Sequence, residues 1–391
     1  MKSGKKTSGC PVKREKKSLC DKSKPNIYYH YTSLYKMWLI LEKETLRATQ
    51  ACFSNDSEEI SKGIKALNNI LNANPEKNPF PDSLDFDKFD NYIVCFCQQN
   101  DKLSQWRAYC KDGGVSFGFE LGYDNIKYYY PDSKKYSNVA HNINLSPVFY
   151  LDNTTVPSGI PGTITEIDLQ KKVIGGLKDF HDVKAKQDAI SLLVPHIKQF
   201  GFVEEEEHRL LIENNFDLSL YDIDFKLDEI IKYSEDDCNK KPYINIKFGR
   251  TYDEKEFVNQ IIIRGPQNEC ERIKKKIQDL LSKKAHLIGI KTGSPFSIQC
   301  IDDKILQIIV GEAYEENQRK LFRFLDFNLN TVDKENIYFW CDGHLPIRSI
   351  TVSPSENQDQ ILRMIKHYCT HSKFWLKYVN VSVSNIPFRN Y

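Results

Sequence analysis

The six residues Tyr92-Ile93-Val94-Cys95-Phe96-Cys97 are apolar without interruption. Six residues suit a strand better than a buried helix, and a strand with no polar alternate is covered on both faces. A chain containing such a run must therefore build layers on either side of a sheet.

The surrounding sequence supplies them. Ile27-Tyr28-Tyr29-His30-Tyr31 reads as an aromatic strand, Thr32 stands where an N-cap belongs, and Leu34, Met37, Trp38 and Leu41 form a helical stripe behind it. Thr45 to Thr49 is a second extended piece. Asn55 to Glu59 then precede the stripe Ile60, Ile64, Leu67, Leu71, with Asp56 and Glu59 as a capping pair. After Gly113-Gly114, Val115, Phe117 and Phe119 alternate with Ser116, Gly118 and Glu120, which predicts a half-buried strand pairing with residues 92–97. Between these two strands, a short helix places Trp106 and Tyr109 on one side. A further helix is expected over 183–200, and the acidic run Glu204 to Glu207 enters the strand His208 to Ile212.

The last third reads as an internal repeat. Asn259 to Pro266, a helix over 268–281 and His286 to Ile290, ending in Ser294-Pro295-Phe296, form one copy. Arg348 to Pro354, a helix over 358–369 and Tyr378 to Ser384, ending in Pro387-Phe388-Arg389, form the second. Each predicts two parallel strands joined by a helical crossover. The expected fold is α+β: a basic tail over 1–25, a mixed β-sheet core with flanking helices over 26–255, and C-terminal βαβ units over 256–391, with room for one sheet to run through both parts.

Charge is balanced overall, with 55 Lys and Arg against 53 Asp and Glu. The exception is the tail, where nine basic residues face only Glu15 and Asp21. Such a run is a solvated extension or a contact for nucleic-acid phosphates. No signal-peptide pattern and no 18-residue apolar stretch occurs, so a cytoplasmic protein without a membrane partner is expected. Eleven scattered cysteines fit reduced thiols. No metal is expected: Cys95, Cys97 and Cys110 lack a second pair of ligands, and His367 and His371 lack the intervening Glu of a zincin. No phosphate-binding loop, Gly-x-Gly-x-x-Gly or Gly-x-Ser-x-Gly is found, against a P-loop ATPase, a Rossmann dehydrogenase or an α/β-hydrolase.

The segments YHYTS, LRAT with SNDSEE, VCFCQQNDKLSQWRAYCKDGGVSFGFEL, EEEEHRLLI, IIIRGP and SNIPFR follow one another over residues 27 to 391. As an ordered set they resemble the bacterial family catalogued as domain of unknown function 2971. The chain departs from that pattern at His208, where a Trp is expected, and in its second βαβ copy.

YHYTS with EEEEHRLLI is also similar to the arrangement of ADP-ribosyltransferases, a His-bearing strand followed by Thr and a helix, with a later Glu entering a strand. That resemblance implies NAD, or another nucleotide-like ligand, as substrate and a protein or nucleic acid as target. Cleavage of the nicotinamide–ribose bond develops oxocarbenium charge, which a carboxylate stabilises. Glu207 and Glu205 are the carboxylate candidates and His30 a ribose ligand. Thr32, Arg47 and Arg209 are candidates for the rest of the cofactor, Arg47 for its pyrophosphate, and Trp106 or Tyr109 for a ring stacked on nicotinamide. Structural readings stand beside these: His30 as a hydrogen-bonded core histidine, Trp106 and Tyr109 as core, and the glutamates as a solvated run. Strand alternation nonetheless puts Glu205, Glu207 and Arg209 on one face.

The implied activity is an NAD-using effector of bacterial antiphage defence or a toxin system. The alternatives are a non-catalytic sensor or adaptor docking through Phe296 or Phe388, and a metal-dependent nuclease using Asp56, Glu58 and Glu207.

Overall fold

The computed structural model describes residues 27–53, 57–73, 91–121, 126–132, 141–143, 145–152, 162–177, 183–212, 230–234, 240–253, 256–257, 260–264, 268, 271–272, 274–275, 297–302, 305–309, 338–341, 345–372 and 374–388, and every structural statement concerns these. The basic tail, Asn55, Asp56, His286 to Ile290, Phe296 and Arg389 lie outside them.

The fold is α+β and is organised by β3 (Tyr92–Cys97), buried on both faces as its composition requires. One edge of β3 pairs along its length with β11 (Glu207–Ile212), from Glu207↔Cys97 to Ile212↔Tyr92. The other edge is shared. β1 (Ile27–Ser33) pairs with its end, Tyr29↔Cys97, and β2 (Leu46–Gln50) with its beginning, Thr49↔Ile93 and Gln50↔Tyr92. The helix α1 (Leu34–Lys43) joins β1 to β2, so the sheet forks where that connection leaves β3. One arm continues from β1 to β4 (Gly114–Glu120), β19 (Ile347–Val352) and β20 (Asn380–Val383); the other continues from β2 to β13 (Pro242–Asp253), β5 (Ile126–Tyr129) and β6 (His141–Asn142). β7 (Leu145–Pro147) extends the edge at β11, and β12 (Lys232–Tyr233) and β14 (Glu256–Phe257) pair β13.

Directly paired residues project from the same face of a sheet, and neighbours along a strand from opposite faces. Tyr92, Val94, Phe96, Leu210 and Ile212 enter one core with Met37 and Leu41 of α1 and with Ile361 and Ile365 of α6 (Gln358–His371). Ile93 and Leu211 enter a second core beneath α2 (Ser57–Asn72), α4 (Glu166–Gly176) and α5 (Val183–Leu193). Beside that second layer lies a small parallel sheet of β8 (Phe149–Asp152), β9 (Thr163–Thr165) and β10 (Ile197–Gln199). A third cluster packs Tyr31, Cys97, Trp106 and Cys110 around α3 (Leu103–Tyr109).

Several expectations are corrected. β4 does not pair with β3, because β1 lies between them, and with a neighbour on each edge β4 is buried throughout rather than half-buried. The helix after residue 183 stops at Leu193, where Pro195 ends regular hydrogen bonding, and Ile197 to Gln199 become a strand. The N-cap of α1 is Ser33, whose hydroxyl accepts from the Lys36 amide, and Thr32 stays in β1. The second predicted βαβ copy exists, with β19 and β20 parallel around α6, and it joins the main sheet, as the expectation of one sheet running through both parts allowed. In the first copy, β15 (Gln260–Arg264) lies instead in an antiparallel sheet with β16 (Ser297–Asp302), β17 (Ile305–Ile309) and β18 (Tyr338–Cys341).

The Gly113-Gly114 turn shows how tightly β1 and β4 meet. Gly113 has φ +91°, and a Cβ on Gly114 would stand 2.4 Å from the Thr32 carbonyl oxygen and 2.5 Å from Cys110 Sγ. Gly114→Ala should cost about 1–3 kcal/mol in urea denaturation. Gly175→Ala, on α4 where nothing lies within 4 Å of the new carbon, should instead be neutral or gain up to about 1 kcal/mol. Equal effects would contradict the packing described at the turn.

Candidate functional site

The face of β3 and β11 opposite α1 carries a buried charge cluster. Arg209 and Glu207 stand two residues apart on β11, so both project to this side, and the guanidinium grips the carboxylate bidentately at 2.7 and 2.9 Å. Arg209 Nη2 also reaches Glu59 of α2 at 2.7 Å, and Nη1 donates to the Pro195 carbonyl at 2.5 Å. Lys198 of β10 completes the cluster, its ammonium 2.6 Å from Glu59, 2.7 Å from Glu205 and 3.2 Å from Glu207. Tyr150 adds a hydroxyl that accepts from the Glu207 amide at 2.8 Å.

Three carboxylates thus face two cations, and the electrostatics separate their roles. Burial alone would raise the Glu207 carboxyl, but Arg209 and Lys198 outweigh it and hold it at about 2. Glu205 moves the other way: burial pushes it up, the Glu207 and Glu59 charges add to the rise, and Lys198 only partly opposes them. Burial would lower Lys198, yet the Glu207, Glu59 and Glu205 carboxylates keep it above the usual lysine range. Glu205 is also the more open carboxylate, its side chain 17% exposed against 6% for Glu207. Its position comes from a 3-10 turn, Phe200–Glu205, followed by Glu206 at φ 45°. The expected shared face for Glu205, Glu207 and Arg209 is therefore produced, with a turn supplying the first member.

His30 is not part of this cluster. Tyr29, Cys97 and Glu207 are register partners and share one face, so His30, next along β1, projects from the other. There its ring meets Phe96 edge-on at 5.9 Å, and Nδ1 donates to the Cys95 carbonyl at 2.9 Å. Cys95 lies in the fork, between the stretches where β1 and β2 pair β3, and the imidazole takes the place of the missing strand donor. A carbonyl only accepts, so the proton is on Nδ1; burial, opposed by that hydrogen bond, lowers the ring's pKa and favours the neutral form. The expectation of His30 and Glu207 in one cleft is corrected by this parity.

The other expected residues divide similarly. Trp106 is core: its indole donates to Asp101 at 2.8 Å and its ring packs edge-on to Tyr31 at 4.7 Å. Arg47 lies over the Tyr243 ring at 4.4 Å in the β2 arm, and Arg209 is wholly engaged by carboxylates and Pro195. Thr32 is buried, its carbonyl accepting from the Cys110 thiol at 3.4 Å. Tyr109 does approach the cluster, where burial and then Cys95, Glu205 and Glu207 raise its phenol. Glu59, expected as a helix cap, is a member of the cluster.

Sequence reasoning missed Lys198 and Asp101. Lys198 follows the buried Ile197 in the short strand after the Pro195 turn, a pattern disguised by the apparent helix. Asp101, at φ 60°, accepts from Trp106, from the Ser384 hydroxyl and from the Asn385 amide at 2.7 Å, tying the C-terminal segment to α3. Among the described residues, no three His, Cys, Asp or Glu side chains converge on a metal-sized centre, and no helix is long and apolar enough to cross a membrane. No family model matches the chain, and comparison with curated proteins and with solved structures finds no match.

Glu207→Gln should be strongly destabilising, by about 3–5 kcal/mol, because it leaves two buried cations under-compensated. Exposed Glu204→Gln should stay within about 0.5 kcal/mol. Glu207 has a folded pKa below its ordinary 4.5, so its contribution is complete above that pH and is lost as pH falls towards about 2. Urea midpoints from pH 7 to pH 2 should therefore converge for wild type and Glu207→Gln; a constant gap would refute the ionic role.

Proposed function

We propose that this chain is an NAD-using, ADP-ribosyltransferase-like enzyme of bacterial defence or toxin biology, and that its reacting carboxylate is Glu205. The observation that carries the proposal is the pairing of Glu205 with Glu207 on one lysine, with their acidities pushed in opposite directions. Two carboxyl groups separated in this way are suited to different roles, one permanently charged and one exchanging a proton. Glu207 supplies fixed negative charge, while Glu205, more open and beside Tyr109, is placed to act on a ligand.

In the proposed reaction the bond between ribose C1′ and the nicotinamide nitrogen breaks, and its electron pair leaves with nicotinamide. The oxocarbenium charge on the ribose is stabilised by the carboxylates. An acceptor oxygen or nitrogen forms the new bond to C1′ and its proton passes to Glu205. Tyr109 supplies an aromatic wall.

With labelled NAD and cell extract, Glu205→Gln should lower turnover by about a hundredfold or more, while unfolding at a urea concentration closer to wild type than Glu207→Gln does. As Glu205 works ionised and its pKa is raised, the rate should fall on acidification with a midpoint above the ordinary glutamate value of 4.5. Absence of both NAD loss and transfer to protein or nucleic acid would overturn the proposal.

The adaptor reading has its own support. Met364 and Phe388 are exposed beside Leu34 and Lys111 around a groove of about 510 Å³. Because β14, β19 and β20 belong to the main sheet, truncation near residue 255 would remove three of its strands, and Met364→Ala with Phe388→Ala is the cleaner probe. The nuclease reading relied on Glu207, whose oxygens are held by Arg209 and Lys198.

A further inference from the structure

Glu206 stands between the two carboxylates that share Lys198, and its own carboxylate is held elsewhere. The Gln99 side-chain amide donates to both of its oxygens, at 2.8 and 2.7 Å, and the Lys102 ammonium donates to one of them at 2.8 Å. The Gln98 amide donates to the Glu206 carbonyl at 3.3 Å. One residue is thus joined through side chain and backbone to residues 98–102, the link between β3 and α3. That link is anchored in turn by Tyr31, whose hydroxyl donates to the Gln99 carbonyl at 2.8 Å and accepts from the Lys102 amide at 3.0 Å.

The Lys102 side chain is 15% exposed and that of Glu206 36%, open enough for the ion pair to contribute little stability. Its consequence is geometric. Glu206 has φ 45°, and Asp101, beside Lys102, has φ 60°. The left-handed region is unfavourable for a residue bearing a Cβ and persists where the surroundings impose it. Here it turns the chain out of Phe200–Glu205 and into β11, so that Glu205 and Glu207 converge on one ammonium group. Lys102 is also the N-cap position of α3, whose last residue is Tyr109. The Glu206 carboxylate therefore fixes both the place where Glu205 leaves its turn and the start of the helix that brings Tyr109 to the cluster.

We propose that Glu206 is the positioning residue of the candidate site, holding Glu205 on Lys198 and α3 with Tyr109 beside it, without itself touching the ligand. The inference rests on the reading of Glu205 as the reacting carboxylate. The groups that face Glu205 are Lys198, Glu207, Glu59, Cys97, Tyr109 and Tyr150. With Glu206 unlocked, Glu205 leaves these groups for water, and its raised pKa falls back towards 4.5.

Glu206→Gly tests this, because glycine adopts φ 45° freely and the turn is kept while the side-chain hydrogen bonds are lost. Its urea midpoint should stay close to wild type. Carboxyl NMR titration of the full-length protein, with the Glu205 signal assigned by its loss in Glu205→Gln, should show that signal's midpoint falling towards 4.5 in Glu206→Gly and in Lys102→Ala. Lys171→Ala, which removes an exposed ion pair with Asp168 on α4, should leave the midpoint unchanged. With NAD as substrate, Glu206→Gly should lower kcat by about tenfold or more and change KM by less than about threefold, because alignment is lost and binding is not. Glu206→Gln, which keeps one acceptor oxygen, should restore part of that loss. An unchanged Glu205 midpoint in folded Glu206→Gly and Lys102→Ala, or a wild-type kcat in Glu206→Gly, would overturn the inference. A wild-type protein that neither consumes NAD nor transfers from it refutes the reading of the reaction, and the titration, which needs no turnover, still decides whether Glu206 positions Glu205.

Discussion

Arg209 is the side chain on which the arrangement around β11 depends. It is only 2% exposed, yet it carries a full charge, and isolating such a group from water would cost many kcal/mol. The cost is offset only because Glu207, Glu59 and the Pro195 carbonyl take up its donors together. Those partners come from β11 itself, from α2 and from the turn that ends α5. Lys198 repeats the pattern from β10, sharing Glu59 and Glu207 and adding Glu205. Two buried cations thus specify how the main sheet, the second helical layer and the small parallel sheet meet.

That role constrains function. A carboxylate gripped by two cations is held in one geometry and cannot easily take up a proton, so Glu207 is a source of fixed field. Glu205 is linked to the same lysine but emerges from a 3-10 turn into partial exposure, which leaves its proton exchangeable. The fork in the sheet imposes a parallel constraint on the opposite face. Where neither β1 nor β2 pairs Cys95, the His30 imidazole supplies the hydrogen bond, and the aromatic strand owes its histidine to that gap.

Much of this was legible in the sequence. The apolar run at Tyr92 required layers on both sides, and the alternation through Glu205, Glu207 and Arg209 anticipated a shared face. The α+β class followed from capped helices mixed with short strands. The register was not legible: nothing local states that Tyr29 stands opposite Cys97, and this single pairing puts His30 and Glu207 on opposite faces. Lys198 was hidden for a related reason. Its helix-like surroundings are broken only by Pro195, and its partners are Glu59 of α2, far away in the chain, and Glu205 and Glu207, which only the intervening turn folds back onto it. The tie from Asp101 to Ser384 and Asn385 likewise joins two motifs whose spacing carries no signal of contact.

The account turns on whether the charges of α2 and β11 are coupled in the folded protein. A double-mutant cycle on Glu59→Gln and Arg209→Met, read from urea unfolding at neutral pH, measures that coupling directly. Because the groups are in contact and share partners, the account predicts a coupling energy of about 1–3 kcal/mol, with the double variant less destabilised than the sum of the single variants. Additivity to within about 0.5 kcal/mol would contradict it.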